Sequence, residues 1–173
     1  MMNSLSDLLP RLQYSITPSI MSPEARLAEL GIVLPPAPKP GGVYKPLVIV
    51  GKLAWLSGHG PCVDGETYET GRVGADLTLE QGQEAARKVG LSLLATMKRE
   101  LGSLDRDSRL IKTLALVNCT ADFTQQPQVI NGFSNLFAEV FGEDGIGARS
   151  ALAANTLPGN IPVEIEIIIE LKD

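Results

Sequence analysis

The sequence predicts an α+β domain in which a single mixed β-sheet carries two helices packed on one face. Several short segments rich in Val and Ile alternate apolar with polar residues, which is typical of strands. Two longer segments have the 3.6-residue apolar period of amphipathic helices. The elements follow one another as ββ, α, β, α, ββ, and an amphipathic sheet has to bury its apolar side against the helices.

The length and composition indicate one globular domain. At 173 residues the chain can bury a core without disulfides or metals. Hydrophobic residues make up 44% of the chain and charged residues 20%, which excludes a disordered or fibrous protein. The N-terminus lacks a basic start followed by an apolar run, and no apolar stretch is long enough to span a bilayer. We therefore expect no membrane partner and a cytoplasmic location.

The charge and the cysteines argue against two further classes of function. The net charge is −5 and no run of Lys or Arg forms a basic patch, so we expect no nucleic-acid partner. Cys62 and Cys119 are far apart in sequence and match no spacing of zinc ligands. We predict no metal, no cofactor, a reducing compartment, and two cysteines that behave as small buried apolar residues.

The first part of the chain is predicted to precede the compact domain. Residues 1–21 form a leader without a strong period, and Ser22 then caps a short helix that has Pro23 at its first position. The four prolines of LPPAPKPGG force an extended connector after that helix. We therefore assign residues 1–41 to leader, helix and connector, and residues 42–173 to the domain.

The domain opens with a predicted β-hairpin. VYKPLVIVG and LAWLSG are two β-rich runs, and Gly51 with Lys52 separates them. Pro46 places the first run toward an edge of the sheet, because proline cannot donate to a neighbouring strand. Trp55 has a large apolar area and is predicted to lie in the core.

Capping signals mark both predicted helices of the domain. Thr78 and Gln81 form a capping box before an apolar 3.6-period segment that runs through Leu101. The second helix, PQVINGFSNLFAEVFG, has Pro127 at its start and Gly142 at its end.

The remaining strands are RLIKTLALVNC, ARSALAANT and VEIEIIIEL, the last two flanking LPGN. Alternate residues of the last strand share a face, so the helices should cover its apolar face. That apolar face holds Val163, Ile165, Ile167, Ile169 and Leu171, and the other face holds Glu164, Glu166 and Glu170.

The two residues of greatest chemical interest are not expected to meet within one chain. If LPGN turns the last two strands into a hairpin, Arg149 lies opposite Ile168 and Glu164 opposite Ala153. The two charged residues then share a face but are four residues apart, or roughly 13 Å at about 3.3 Å per residue. A second subunit is the easier way to bring such groups together.

Two stretches of the sequence resemble a known family. GARSALAANTLPGNIPVEIEIIIEL is similar to the closing signature of the RidA (YjgF-type) family, and VYKPLVIVGKLAWLSGHGP is similar to its opening hairpin. The resemblance covers about residues 42–173, and the N-terminal helix and connector place the chain in a longer branch of the family. It implies a chorismate-mutase-like fold and a homotrimer whose sheets form a central barrel, with three clefts between subunits.

The resemblance also assigns roles to residues. Arg149 matches the family's carboxylate-binding arginine, and Glu164 matches the glutamate that orients a water. Cleft-lining positions fall on Tyr44, Ser57, Gly58, His59 and Asn131. This chain departs from the best-studied enzymes at two of the family's positions, because His59 replaces a glutamine and Ala151 replaces a cysteine.

The chemistry of these residues suits a small imino acid. An arginine binds a carboxylate through two parallel hydrogen bonds and stays charged when partly desolvated. Hydrolysis of a C=N bond needs a water and a group that takes its proton, and Glu164 or His59 can serve. The first hypothesis is therefore a trimeric hydrolase, or deaminase, of reactive 2-imino and 2-enamino acids.

Other interpretations of the same residues stay open. Arg149 and Glu164 are also compatible with ordinary surface charges, and His59 with a packing residue whose hydrogen bonds are satisfied. Tyr44 can anchor the hairpin, and the amide of Asn131 can simply be solvated in the first turns of its helix. No Ser-His-Asp set surrounds Ser57, with which His59 is expected to share a strand face.

Two other functions remain as alternatives. The first is a non-catalytic trimer that binds small carboxylate metabolites in the same clefts. The second is the endoribonuclease activity ("endoribonuclease L-PSP") attached to some family names, which we rank last because the acidic chain lacks a basic track and a pair of histidines. Chorismate mutase activity would rest on analogy of fold alone.

Overall fold

Three helices and five strands follow one another in the computed structural model, which describes residues 21–172 apart from the side chains of Asp107 and Ser108. In chain order they are α1 (Pro23–Glu29), β1 (Leu47–Val50), β2 (Leu53–His59), α2 (Leu79–Leu101), β3 (Asp107–Asn118), α3 (Gln126–Phe141), β4 (Ala148–Ala154) and β5 (Val163–Leu171). The predicted leader up to residue 20 lies outside the described residues. No helix in the described part is both long and apolar enough to cross a membrane.

The predicted capping signals are confirmed. Thr78 Oγ1 accepts from the backbone N–H of Gln81 at 3.3 Å, and Gln81 Oε1 accepts from the backbone N–H of Thr78 at 2.8 Å. This pair satisfies two of the N–H groups that every helix start leaves without an intrahelical partner. The short helix α1 likewise begins at Pro23 after Ser22, whose hydroxyl accepts from the N–H of Ala25.

The sheet has the order β1-β2-β5-β3-β4. Neighbouring strands are antiparallel except for β3 and β4, which are parallel, so the sheet is mixed. The β1–β2 hairpin turns at Gly51, whose φ of 60° is easily adopted only by glycine. Helices α2 and α3 pack on each other and on one face of the sheet, which confirms the predicted fold class.

The core lies between that face and the two helices. Alternate residues of β5 from Val163 to Leu171 are buried there, as predicted, and they contact the apolar sides of α2 and α3. The short helix α1 adds Leu27 to the same core. Both Cys62 and Cys119 are buried with free thiols, as expected.

The predicted hairpin between the last two strands is wrong, because β3 lies between β4 and β5. The connection after β4 crosses the end of β3 instead of reversing beside β4. The buried Asn118, the last residue of β3, holds this connection with its side-chain amide. It donates to Asn160 Oδ1 at 3.0 Å and to the carbonyl of Ile161 at 3.2 Å.

The second face of the sheet, called here the open face, is not covered by any helix of the described chain. Trp55 lies on this face with 49% of its area exposed, so its predicted place in the core is wrong. Val48 on the neighbouring strand β1 and Leu152 on the edge strand β4 are exposed to a similar extent. The alternation along β2 explains this position, because Ala54 and Leu56 on either side of Trp55 point into the core.

Candidate functional site

The side chain of Arg149 is held at the edge of the sheet by the first turns of α3. Its register partner on β3 is the buried Thr113, so Arg149 lies on the face that the helices cover. Nη1 donates to Asn131 Oδ1 and to Ser134 Oγ, both at 3.0 Å, and Nη2 donates to the carbonyl of Pro127 at 3.3 Å. The structure therefore brings two of the predicted site residues, Arg149 and Asn131, into direct contact.

These contacts leave one edge of the guanidinium of Arg149 available. A guanidinium has five N–H donors, and the three hydrogen bonds use both hydrogens of Nη1 and one of Nη2. Among residues 21–172, no group accepts from Nε–H or from the second hydrogen of Nη2. In a guanidinium, Nε–H and one hydrogen of Nη2 lie side by side and are spaced to bind both oxygens of one carboxylate. Partial burial lowers the pKa of Arg149, but an arginine remains charged.

Glu164 lies on β5 and points to the open face. It is half-buried, and within the described part of the chain its carboxylate has no hydrogen bond and no ion pair. Desolvation raises the pKa of Glu164, and the nearby carboxylate of Glu166 raises it further. A carboxylate in this state is a better proton acceptor near neutral pH than a fully solvated one.

A β-bulge in β2 lies beside Glu164. Leu56 pairs with Ile167 and His59 pairs with Ile165, so β2 uses three residue steps where β5 uses two. The extra residue falls at Ser57–Gly58, where the pairing between the strands is interrupted. Because of this bulge, Leu56 and His59 both point to the helix-covered face.

The bulge residues line the position of the Glu164 carboxylate. A Cβ atom added to Gly58 would lie 2.2 Å from Glu164 Oε1, so only glycine lets the carboxylate approach the backbone this closely. Ser57 Oγ donates to the carbonyl of Lys45 at 2.8 Å, which ties the bulge to the segment before β1. Tyr44, which directly precedes Lys45 in the chain, is half-exposed. Its hydroxyl accepts a hydrogen bond from the N–H of Gly41 at 3.2 Å.

His59 is separated from these groups. Its ring is buried between the sheet and α2, with Nδ1 2.7 Å from the carbonyl of Ser57 and Nε2 2.8 Å from Thr96 Oγ1. Desolvation lowers the pKa of His59; the hydrogen bond to Ser57 opposes this shift, and the charge of Arg99 adds to it. The expectation that Ser57 and His59 share a face is wrong, because the bulge reverses the alternation between them.

The candidate residues thus form two groups on opposite faces of the sheet. We call Arg149, Asn131 and Ser134 the arginine half-site, and Glu164 with Ser57–Gly58 the glutamate half-site. Strand β3 separates the two within one chain. The predicted position of Arg149 and Glu164 on one face is therefore wrong, and its cause is the parallel pairing of β4 with β3.

Ser134 is a functional candidate that the sequence analysis missed. It lies three residues after Asn131 on α3, and residues at that spacing share a face of a helix. The spacing of Asn131 and Ser134 along the helix was the available signal. The described residues include no group of three or more His, Cys, Asp or Glu side chains placed to hold a metal ion.

The fold and these half-sites define the class of the protein: a small α+β domain with a chorismate-mutase-like mixed sheet. The family model described as "YjgF/chorismate_mutase-like, putative endoribonuclease" matches residues 24–171. The chain belongs to this YjgF, or RidA-type, family, which confirms the resemblance inferred from its closing and opening motifs.

Individual proteins support the same assignment. Protein TCP17 of Trypanosoma cruzi is 40% identical over 150 residues, which cover 86% of this chain and 94% of that protein. The structure of Atu1372 from Agrobacterium tumefaciens, described as a protein of unknown function, is 40% identical with a TM-score of 0.78, over 87% of this chain and 92% of its own. RidA from the Antarctic bacterium Psychrobacter sp. PAMC 21119 is 27% identical with a TM-score of 0.55, over 78% of this chain and 94% of its own.

Proposed function

We propose that the protein is a homotrimeric hydrolase of reactive 2-imino and 2-enamino acids, which releases a 2-oxo acid and ammonia at clefts between subunits. The observation that carries this proposal is the available edge of the Arg149 guanidinium, whose other donors are held by α3. A preorganised fork of this kind recognises a carboxylate at little cost in side-chain entropy.

The position of the two half-sites supports a cleft made by two subunits. Arg149 and Glu164 point away from opposite faces of one sheet, so a single small ligand cannot contact both within one chain. The open face also leaves Trp55 and Val48 half-exposed, and contact with another subunit would bury them. Threefold packing, which the family resemblance implies, satisfies both conditions.

The proposed reaction uses Glu164 as the proton-transfer group. With the substrate carboxylate on Arg149, Glu164 takes a proton from a water whose oxygen attacks the imine carbon, C2, and passes that proton to the imine nitrogen. Glu164 then takes the hydroxyl proton of the resulting carbinolamine and passes it to the amino nitrogen, as the C=O bond forms, the C–N bond breaks and ammonia leaves. A 2-enamino acid first gains a proton at C3 and loses one from nitrogen to become the imine. The raised pKa of Glu164 matches this exchange of protons near neutral pH.

A second candidate function is binding without turnover of small carboxylate metabolites in the same clefts. The position of His59 favours it, because the buried ring has both nitrogens occupied and so offers no second acid–base group to the substrate. Ala151, on the same strand as Arg149, offers none either. Glu164 would then be the only acid–base side chain among the described site residues.

Turnover of freshly generated 2-iminopropanoate and 2-iminobutanoate distinguishes the two functions. Ammonia and 2-oxo acid would be followed against the spontaneous rate in the same buffer. Acceleration that Glu164→Gln abolishes and the exposed control Glu143→Gln retains would support the hydrolase. Binding of 2-oxo acids without any acceleration would support the binding protein, and absence of both would reject the site.

A further inference from the structure

We infer that His59 is a positioning residue: its ring, anchored on Thr96 of α2, holds the carbonyl of Ser57 and so fixes the bulge that presents Gly58 to Glu164. This role differs from direct contact with the ligand. It rests on the proposed function only in that the bulge forms one wall of the proposed cleft.

The hydrogen bonds determine which tautomer of His59 is present. The carbonyl oxygen of Ser57 can only accept, so Nδ1 carries the hydrogen and donates across 2.7 Å. In the neutral ring Nε2 is then an acceptor, and it receives the hydroxyl hydrogen of Thr96 at 2.8 Å. Both partners are therefore required for one defined orientation of the imidazole.

The surroundings of the ring make this orientation rigid. His59 is 7% exposed and Thr96 is fully buried, so water does not compete for either hydrogen bond. Thr96 lies within the 23-residue helix α2, and its position is fixed by the packing of that helix on the sheet. A chain of contacts thus runs from Thr96 in the core, through the His59 ring, to the Ser57 carbonyl in β2.

The bulge is the part of β2 that most needs such support. Ser57 and Gly58 lie where the pairing of β2 with β5 is interrupted, so the regular strand-to-strand ladder does not define their position. The backbone N–H of Ser57 donates to the carbonyl of Pro46 at 3.1 Å, and its side chain donates to Lys45. Without His59, the Ser57 carbonyl would lose this hydrogen bond, which leaves Ser57 tied through its N–H and its hydroxyl to the edge segment before β1.

A displaced bulge would change the environment of Glu164. The carboxylate lies in the space that a side chain at Gly58 would fill, and desolvation raises its pKa. If the bulge moved, water would reach the carboxylate and its pKa would fall toward the ordinary value. The pKa of the Glu164 carboxyl should therefore change when His59 is replaced, although the two side chains lie on opposite faces of the sheet.

Two matched pairs of variants test the inference. His59→Asn places an amide N–H close to the position of Nδ1 and so retains the hydrogen bond to Ser57, whereas His59→Leu fills the same space without it. Thr96→Ser keeps the hydroxyl that bonds to Nε2, and Thr96→Val removes it. Thermal melting and sedimentation of all four variants would show whether fold and assembly are intact.

The readouts are the pKa of the Glu164 carboxyl, followed by ¹³C NMR, and the affinity for 2-oxobutanoate from calorimetric titration. We expect His59→Leu and Thr96→Val to lower that pKa and to weaken binding about three- to tenfold, as expected for one lost neutral hydrogen bond. Thr96→Ser should stay near the wild type. His59→Asn, which keeps the bond to Ser57 but cannot reach Thr96, should fall between the wild type and His59→Leu. If His59→Leu left both quantities unchanged in an intact assembly, His59 would be a packing residue only.

Failure of this inference can be told apart from failure of the proposed function. If the wild type bound no 2-oxo acid, the proposed site would fail, while the pKa of Glu164 in the four variants would still test the role of His59. If His59→Leu did not assemble, the Thr96 pair would decide: a lower pKa in Thr96→Val alone supports the inference, and equal values in both variants overturn it.

Discussion

The arginine half-site and the glutamate half-site are built in different ways. The Arg149 guanidinium donates three hydrogen bonds to α3. The acceptors are two side chains and one backbone carbonyl of the same chain. The Glu164 carboxylate has no such partner within residues 21–172 and lies against a backbone bulge. The guanidinium of the first half-site is thus held by its own chain. The carboxylate of the second is partly desolvated, and in the proposed trimer a ligand or a neighbouring subunit would complete its contacts.

The largest effect is expected at the glutamate half-site. Glu164→Gln should lower turnover of 2-imino acids by about 10²- to 10⁴-fold, the usual contribution of a general base. The control Glu143→Gln changes an exposed carboxylate near the start of β4 and should leave turnover unchanged. Equal turnover in the two variants would show that Glu164 does not transfer the proton.

Glu164→Gln should also change the thermal stability of the protein. Burial raises the pKa of Glu164 above its value in the unfolded chain, so its ionisation destabilises the fold as the pH rises through the folded pKa. Glu164→Gln should therefore raise Tm at neutral pH and have little effect below about pH 4, where the unfolded chain also holds the proton. A stabilised protein with lost turnover is typical of a functional residue.

At the arginine half-site, Arg149→Lys should weaken binding of a 2-oxo acid much more than it weakens folding. Lys keeps the charge but replaces the fork by a single ammonium. Loss of one hydrogen bond to a charged group costs about 1.5 to 3 kcal/mol, or roughly a 10- to 150-fold loss in affinity. Calorimetric titration measures this loss of affinity, with Arg109→Lys as control, because Arg109 forms an ion pair with Glu170 on the open face. Unchanged affinity in Arg149→Lys would leave Arg149 a surface charge.

The next largest effect is expected on trimer formation. Sedimentation equilibrium should show a trimer for the wild type, and Trp55→Glu should shift it toward monomer at micromolar concentration. Burial of one large apolar side chain contributes about 1.5 to 3 kcal/mol per subunit, and a buried charge would oppose assembly further. Val33→Glu places the same charge at a position that is 88% exposed outside the sheet and should stay trimeric. A monomeric wild type would contradict the proposed assembly.

The regular elements could be predicted from the sequence, whereas the arrangement of the site could not. Caps and periodicity determine the helices locally, so Thr78, Gln81 and Pro127 were sufficient to place them. The order of the strands depends on long-range contacts such as that of Asn118 with the segment after β4, which no local pattern shows. Because β4 pairs with β3 and not with β5, Arg149 and Glu164 lie on opposite faces.

The bulge in β2 was equally invisible in the sequence. A one-residue shift of register sends every later side chain to the other face of a strand. Alternation predicts that Ser57 and His59 point the same way, and the extra residue places one at the open face and the other in the core. The family motif identified these residues as a group but could not say which of them would face a ligand.

The smallest effect expected is on the pH dependence of stability. The pKa of His59 is lowered by burial, so the stability that its neutral form provides is fully present above the ordinary value of 6.5 and is lost as the pH falls toward the folded pKa. Between pH 8 and pH 5, the Tm of the wild type should therefore fall more steeply than that of His59→Leu. Parallel curves from scanning calorimetry would mean that His59 is protonated equally in the folded and unfolded chain.

The central claim is that each site combines the arginine half-site of one subunit with the glutamate half-site of another. Co-expression of Arg149→Lys subunits with Glu164→Gln subunits, followed by purification of the mixed trimers, tests it most directly. At substrate concentrations well below KM, each variant alone should keep at most about a tenth of the wild-type turnover. Every mixed trimer should keep one of its three clefts with both native residues, whichever variant is in the majority, and so about a third of the wild-type turnover. No recovery in trimers shown to contain both subunits would contradict a site shared between subunits.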